Sequence, residues 1–126
     1  MQILKTYARL FVADLDSALP LYTRLVGTPP DLRFAFEAAE LAAIGDFLLI
    51  GGPPAAVDKY RTTAGPVIVD DLAATITELS EAGATLHAEP VAVPTGTVAY
   101  LRHPDGADVE YVQWTEEVRT RVLGPA

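Results

Sequence analysis

The chain has 126 residues, half of them hydrophobic, and its 17 acidic and 9 basic side chains give a formal net charge of −8. This length and composition fit one globular domain with a real core, and the acidic excess argues against nucleic acid or anionic lipid as a partner. The sequence contains no cysteine, which excludes disulfides, zinc–thiolate sites and thiolate nucleophiles.

The first half of the sequence predicts a strand, a helix and three more strands. Residues Ile3–Val12 alternate with a period of two, which is typical of a strand. Asp14 is placed to cap a helix whose apolar residues recur at spacings of three and four, and Gly27 is placed to end it. The next strands are predicted over three segments, with Gly45-Asp46 as a tight turn between the last two: Leu32–Ala39, Leu41–Ile44 and Phe47–Ile50.

The second half repeats this order after a segment, residues 53–63, that we interpret as a linker because it lacks periodicity. A strand is predicted over Pro66–Val69, followed by a helix that Asp70 or Asp71 caps and Gly83 ends. Further strands are predicted over Thr85–Val93, Gly96–Arg102 and Val109–Trp114, with a type I turn at His103-Pro104-Asp105-Gly106 and a short C-terminal helix over residues 115–123.

The two halves match each other in sequence. Val12-Ala13-Asp14-Leu15 corresponds to Val69-Asp70-Asp71-Leu72, and each tetrapeptide precedes a helix that ends at a glycine. A strand–helix–three-strand unit that occurs twice indicates a duplicated half-domain. We therefore predict a single α+β domain of two βαβββ halves with mixed sheets, at residues 1–52 and 64–115.

This organisation resembles the vicinal oxygen chelate superfamily, which includes glyoxalase, bleomycin-resistance and extradiol dioxygenase proteins. The motifs that carry the resemblance are the two tetrapeptides and the segment from Leu101 to Glu110, and the likeness covers roughly Leu4 to Trp114. It implies that each half curls into a half-open sheet and that the halves surround a cleft. It also implies a homodimer, because family members cover their sheet edges by pairing.

Metal-dependent members of that superfamily hold the ion with histidine or glutamate at four strand positions that face the cleft. The corresponding positions here are Tyr7, Ala64, Leu49 or a neighbour, and Glu110. Glu110 alone matches, whereas three protein ligands are the usual minimum for zinc. The resemblance therefore implies a protein with no metal and no other cofactor.

The candidate ligand-binding residues are polar or aromatic side chains expected at the cleft: Tyr7, Arg9, Tyr100, Glu110 and Trp114. Arg9 lies two residues from Tyr7, so both face the same side of the first strand. There Arg9 can pair with Glu110 or orient a ligand, and Glu110 is also the candidate catalytic acid or base. Trp114 can instead pack against the terminal helix.

For three other polar positions we expect structural roles or exposure to solvent. We expect His103 to be a solvated turn residue and His87 to lie on a strand face. The segment Lys59-Tyr60-Arg61 can form a flap over the cleft or a solvated loop.

Four functions are compatible with these residues. The first is metal-free binding of an aromatic or amphipathic small molecule by a protein of the glyoxalase/bleomycin-resistance type. The second is an enzyme, such as a lyase, isomerase or dioxygenase, in which Glu110 acts as a base or as a residual metal ligand. The third is a metal enzyme whose ligands lie at other positions, and the fourth is an interaction module with a vestigial cleft.

We expect a cytoplasmic protein that does not cross a membrane. The N-terminal residues lack the basic segment and apolar stretch of a signal peptide. No run approaches the roughly 20 apolar residues that a membrane-spanning helix needs.

Overall fold

A computed structural model describes residues 1–125. These residues divide into two compact units, which we call the N-terminal unit (Tyr7–Arg61) and the C-terminal unit (Met1–Thr6 together with the residues from Thr62 onward). Each unit contains one mixed β-sheet. The predicted α+β class with two mixed sheets is confirmed.

The N-terminal unit contains four strands, two helices and one 3₁₀ turn. Its elements, in chain order, are β2 (Ala8–Val12), α1 (Leu15–Val26), β3 (Leu32–Phe36), β4 (Ala39–Ile44), β5 (Phe47–Gly51), the short helix α2 (Pro54–Val57) and a 3₁₀ turn at Asp58–Tyr60. The strands form one sheet in the order β2–β5–β4–β3. Strand β2 runs parallel to β5, and the other two pairs are antiparallel.

Helix α1 begins and ends as the sequence predicts. The Asp14 carboxylate accepts a hydrogen bond from the Ser17 amide at 3.0 Å, and Gly27 ends the helix in the left-handed conformation at φ 89°. The apolar face of α1 covers one face of the sheet through a core that includes Leu15, Ile44 and Leu49. Because Leu10 and Val12 join this core, Arg9 and Phe11 lie on the opposite face of β2.

The described residues of the C-terminal unit form six strands and two helices. Its elements are β1 (Ile3–Thr6), β6 (Ala64–Val69), α3 (Leu72–Glu81), β7 (Thr85–Leu86), β8 (Val91–Val93), β9 (Gly96–Arg102), β10 (Asp108–Trp114) and α4 (Glu116–Leu123). The strands form one sheet in the order β1–β6–β10–β9–β7, with β8 also paired to β9. Strand β6 runs parallel to β10, and the other pairs are antiparallel.

Helix α3 packs on one face of this sheet in the same way that α1 packs on the other sheet. Asp71, and not Asp70, caps it by accepting a hydrogen bond from the Ala74 amide at 3.0 Å. The Gln113 side chain of β10 accepts a second hydrogen bond from the Leu72 amide at 2.7 Å. Val109 and Tyr111 belong to the core beneath α3, so Glu110 stands on the face turned away from the helix.

The structure differs from the sequence prediction in four places. The strand predicted over Ile3–Val12 is interrupted at Tyr7, and its two parts join different sheets. The strand predicted over Leu32–Ala39 ends at Phe36, because Glu37 turns the chain at φ 54°. Residues 53–63, predicted as a linker, contain α2 and the 3₁₀ turn. The strand predicted over Thr85–Val93 is divided into β7 and β8.

Within residues 1–125 we find no helix with the length and apolar character needed to span a membrane.

Candidate functional site

Tyr7 lies between β1 and β2 and is 4% exposed. Burial raises the pKa of its hydroxyl, and the carboxylates of Asp31 and Asp46 raise it further. The phenol therefore stays protonated throughout the physiological range and can act as a hydrogen-bond donor.

Arg9 fixes the 3₁₀ turn of the N-terminal unit. One of its terminal nitrogens donates a hydrogen bond to the Tyr60 carbonyl oxygen at 3.2 Å. In the next residue, Arg61, the guanidinium carbon lies 4.6 Å from the centroid of the Phe11 ring. Arg9 and Phe11 are two residues apart on one face of β2, so both contacts bind the 58–61 segment to that face. The segment is thus a 3₁₀ turn held on the sheet, and Lys59 and Arg61 in it are exposed, as expected of a solvated segment.

The C-terminal unit brings Tyr100 and Glu110 together. They are direct partners in the antiparallel β9–β10 pair, where opposite Cβ atoms are about 4.5–5.5 Å apart. Both stand on the face turned away from α3, because Ala99, Leu101 and Val109 belong to the α3 core. Both are half-buried.

Apolar side chains extend from this pair along the same face. The next register pair is Val98 with Val112, and Trp114 follows opposite Gly96. Val98, Val112 and Trp114 are 6%, 5% and 8% exposed. Trp114 therefore shares a strand face with Glu110.

A charged cluster stands at the opposite end of the face. Arg102 donates two hydrogen bonds to Asp108, at 2.9 and 3.1 Å, and His87 Nε2 lies 3.0 Å from the same carboxylate. The hydrogen bond from Arg102, followed by that from His87, lowers the pKa of Asp108 to about 2. The face thus changes from charged at Asp108, through the Tyr100–Glu110 pair, to apolar at Trp114.

His103 is not the solvated turn residue that we expected. Its Nε2 atom lies 2.8 Å from the hydroxyl of Tyr111, which is 6% exposed. The predicted turn itself is present, with the Gly106 amide donating to the His103 carbonyl oxygen at 2.9 Å. The ring is directed inward because Tyr111 offers a polar atom at the edge of the α3 core.

The residues that correspond to metal-ligand positions belong to both units: Tyr7 and Leu49 to the N-terminal unit, Ala64 and Glu110 to the C-terminal unit. Leu49 packs in the α1 core and is fully buried, whereas Leu48 and Ile50 face the other side of β5. Ala64 begins β6, opposite Val109 of β10. In the described part of the chain, no three histidine, aspartate or glutamate side chains come together as a metal site would require.

Sequence reasoning missed the contact of Arg61 with Phe11 and the grouping of His87 with Asp108. Phe11 has the same alternation phase as Tyr7 and Arg9, so the strand pattern alone could have added it to the candidates. The contact of Arg61 with Phe11 and that of His87 with Asp108 depend on how the segments after β5 and after β7 fold back on their sheets. No local sequence pattern encodes this.

Comparison with known proteins gives a fold and a family. No protein-family model matches the sequence, and no curated protein matches it. Among solved structures, an uncharacterized protein from Methanosarcina mazei has a TM-score of 0.87 and 41% identity, over 92% of this chain and 96% of that one.

Two methylmalonyl-CoA epimerases are more distant. The enzyme from Mycobacterium tuberculosis has a TM-score of 0.71 and 18% identity, over 94% of this chain and 93% of its own. A variant of the Streptomyces coelicolor enzyme, in complex with 2-nitronate-propionyl-CoA, has a TM-score of 0.67 and 15% identity, over 91% of this chain and 97% of its own. These likenesses show a common fold, that of the vicinal oxygen chelate proteins. The chain therefore has the vicinal oxygen chelate fold and belongs to the same family as the uncharacterized Methanosarcina mazei protein.

Proposed function

We propose that the protein binds a small aromatic or amphipathic molecule on the face of the C-terminal sheet that is turned away from α3. The observation that supports this proposal is the gradient along that face, from Asp108 and Arg102 through Tyr100 and Glu110 to Val112 and Trp114. An amphipathic molecule matches such a gradient, because its apolar part and its polar part meet side chains of the same character.

Each part of the gradient contributes differently to binding. Val112 and Trp114, at 5% and 8% exposed, form the apolar end of the face, and the half-buried Tyr100 ring offers a ligand apolar contact at about 25 cal/mol per Å² of buried apolar surface. The Glu110 carboxylate accepts hydrogen bonds from a hydroxyl, amine or amide of the ligand, and the Tyr100 hydroxyl can donate or accept. These few polar groups orient the ligand, as is usual in small-molecule sites.

We further propose that binding needs no metal. Glu110 is the one residue with a carboxylate or imidazole at the four positions where metal-dependent members of the superfamily hold their ion. Prolonged dialysis against a chelator should leave the ligand affinity unchanged. About one equivalent of zinc, iron, nickel or manganese in gently purified protein, lost on Glu110→Ala substitution, would contradict this proposal.

The alternative function is an enzyme of the same fold in which Glu110 transfers a proton. The observation that favours it is the direct cross-strand pairing of Glu110 with Tyr100, which puts two side chains able to exchange a proton at neighbouring positions of one sheet face. Methylmalonyl-CoA epimerase, which shares the fold, has been solved in complex with methylmalonyl-CoA. Coenzyme A thioesters are therefore the first substrates to test, by following deuterium uptake from heavy water into the acyl group.

A thermal-shift screen decides whether the protein binds small molecules. The library should contain planar aromatic compounds, amphipathic compounds and coenzyme A thioesters. A ligand that binds only the folded protein, at 100 times its dissociation constant, adds about 2.7 kcal/mol to the free energy of unfolding. The midpoint should therefore rise for at least one class, and the rise should be smaller in Glu110→Gln. Glu116→Gln, at an exposed glutamate in the first turn of α4, is the matched control.

A further inference from the structure

A concave surface lies in the N-terminal unit and shares no residue with the binding face proposed above. It is a pocket of about 410 Å³ beyond the carboxyl ends of the parallel strands β2 and β5. Its walls come from residues 11–13, the Gly52–Pro54 segment, and the side chains of Val57 and Arg61. Pockets for small organic ligands are commonly about 300–1,000 Å³ and mostly apolar, so both the size and the lining suit such a ligand.

The cation of this pocket is Arg61, and two contacts orient its side chain. Its Nε donates a hydrogen bond to the Asp58 carboxylate at 2.7 Å, and its guanidinium carbon lies 4.6 Å from the Phe11 ring centroid. Within residues 1–125 these are the two contacts of the Arg61 side chain, so its terminal amino groups remain to donate to a ligand. Asp58 binds the Nε edge of the guanidinium and Phe11 covers one face. The two terminal amino groups lie in one plane, and their geometry matches that of a carboxylate.

The backbone that carries Arg61 is also held in place. The hydrogen bond from Arg9 to the Tyr60 carbonyl oxygen joins the 3₁₀ turn to β2, the strand that supplies Phe11. Lys59 of the same turn binds Glu37 at 2.8 Å. The donor and the apolar wall of the pocket are therefore positioned by the same strand before any ligand arrives, which lowers the entropic cost of binding.

We propose that this pocket binds the carboxylate of a small aromatic acid. The ligand carboxylate accepts hydrogen bonds from the terminal amino groups of Arg61, and its ring packs against Phe11, Val57 and the prolines of the Gly52–Pro54 segment. A phosphate is a poorer match, because a strongly hydrated dianion would have to lie against these apolar walls beside a single cation.

The acidic side chains around the pocket do not oppose this assignment. Asp58 is neutralised by its ion pair with Arg61. The Asp14 carboxylate, at the start of α1, accepts hydrogen bonds from both the amide and the hydroxyl of Ser17. The carboxylates of Asp14 and Asp58 thus accept hydrogen bonds from donors of their own segments. The terminal amino groups of Arg61 can therefore donate to the ligand.

This inference goes beyond the proposed function, because it places an acidic ligand in a separate pocket of the N-terminal unit. A titration followed by amide chemical shifts separates the two sites. Benzoate and 2-naphthoate, at neutral pH, should move the amides of Ala13, Gly52 and Val57. Benzamide, which has the shape of benzoate without its charge, should bind the same amides more weakly.

Substitution of Arg61 provides the decisive comparison. Arg61→Gln should weaken benzoate binding on the order of 10- to 100-fold, to the affinity of benzamide, and should leave benzamide binding unchanged. Arg61→Lys should retain part of the preference for benzoate, since it keeps the charge and loses the fork. Arg33→Gln is the matched control, because Arg33 is an arginine of the same unit that binds Asp16 and Glu40.

The inference would be overturned by no shift of the pocket amides up to about 10 mM benzoate, by equal affinities for benzoate and benzamide, or by an unchanged benzoate affinity in Arg61→Gln. Shifts around Tyr100 and Val112 instead of the pocket would also overturn it, while supporting the proposed function. Conversely, pocket shifts that depend on Arg61, with no thermal-shift ligand affected by Glu110→Gln, would support the inference and contradict the proposed site.

Discussion

Glu110 on β10 lies directly opposite Tyr100 on β9, and both side chains are half-buried on the face turned away from α3. The pair stands between an exposed ion pair, Arg102 with Asp108, and the buried side chains of Val98 and Val112. The Glu110–Tyr100 pair therefore lies between charged and apolar side chains, where it can orient a ligand that has a polar part and an apolar part. Four predictions test this arrangement and the fold that supports it.

The first prediction concerns the titration of Asp108. Hydrogen bonds from Arg102 and His87 lower the pKa of this carboxyl to about 2, from about 3.9 in an unfolded chain. The resulting stabilisation is present above the unfolded value and is lost as the pH falls from about 4 to about 2. The difference in unfolding free energy between the natural protein and Asp108→Asn should therefore shrink over that interval.

Carbon NMR of the Asp108 carboxyl measures this pKa directly. Arg102→Gln should move the titration midpoint upward, toward the value of an unfolded chain. Arg33→Gln, which affects a separate ion pair in the N-terminal unit, should not move it. An unchanged midpoint in Arg102→Gln would show that the ion pair does not control the carboxyl.

The second prediction concerns Gly96, the first residue of β9. It has φ 154°, and a Cβ atom there would overlap the Gln113 carbonyl oxygen and lie 2.9 Å from Trp114 Cα. Since both contacts are backbone atoms, neither can move aside without disturbing the β9–β10 pair. Gly96→Ala should therefore lower the unfolding free energy by on the order of 3 kcal/mol or more.

Gly106→Ala is the matched control for backbone conformation. Gly106 also has a positive φ, 94°, but a Cβ atom there would meet nothing within 4 Å. Its cost should be about 1–2 kcal/mol, which is that of the left-handed conformation alone. Equal losses in chemical denaturation would mean that steric overlap at Gly96 does not matter.

Some features of the fold could be predicted because their causes are local. Asp14 and Asp71 cap their helices, and Gly27 ends α1 with a positive φ, as the short-range pattern indicated. Other features have no local cause. The alternation of Ile3–Val12 continues through Tyr7, so nothing in the pattern marks the point where the strand passes from one sheet to another.

The candidate site was partly predictable for the same reason. Strand alternation places Glu110 and Trp114 on one face, and family likeness indicated which face. The contact between Arg61 and Phe11 depends on a 3₁₀ turn that follows two prolines, in a segment whose lack of periodicity indicates only a linker. Glu37 turns the chain with a positive φ. Because a glycine is the usual sign of such a conformation and none stands there, the sequence did not indicate this turn.

The third prediction is that the protein is a homodimer. Strand β1 is an edge of the six-stranded sheet, and Ile3 on this edge is 54% exposed. Leu21 and Leu25 of α1 are also exposed, at 45% and 65%. Exposed edges and apolar side chains are usually covered by pairing. Light scattering at micromolar concentration should give twice the chain mass of 13.4 kDa, and the mass of one chain would contradict the prediction.

The fourth prediction is that Glu110 recognises the ligand and does not mainly stabilise the fold. Glu110→Gln keeps the shape of the side chain and removes its charge. If the carboxylate accepts a hydrogen bond from the ligand, affinity for a compound found in the thermal-shift screen should fall by roughly 1.5–3 kcal/mol, which is about tenfold to a hundredfold. The denaturant midpoint of the free protein should stay nearly constant. Calorimetric titration and denaturant unfolding measure the two quantities on the same sample.

The alternative role of Glu110 predicts the reverse pair of results. A carboxylate that serves to satisfy a buried cation would leave that cation uncompensated on substitution, which is strongly destabilising, while the ligand affinity would not change. Glu116→Gln, at an exposed glutamate in the first turn of α4, controls for the loss of one negative charge and should alter neither quantity.

Tyr100→Phe tests whether Tyr100 takes part in ligand recognition together with Glu110. The substitution removes the phenolic hydroxyl of the residue opposite Glu110 and retains the ring. If ligand recognition uses the pair, Tyr100→Phe should weaken affinity in the same direction as Glu110→Gln, and the double variant should lose less than the sum of the two, because both substitutions disrupt one shared interaction.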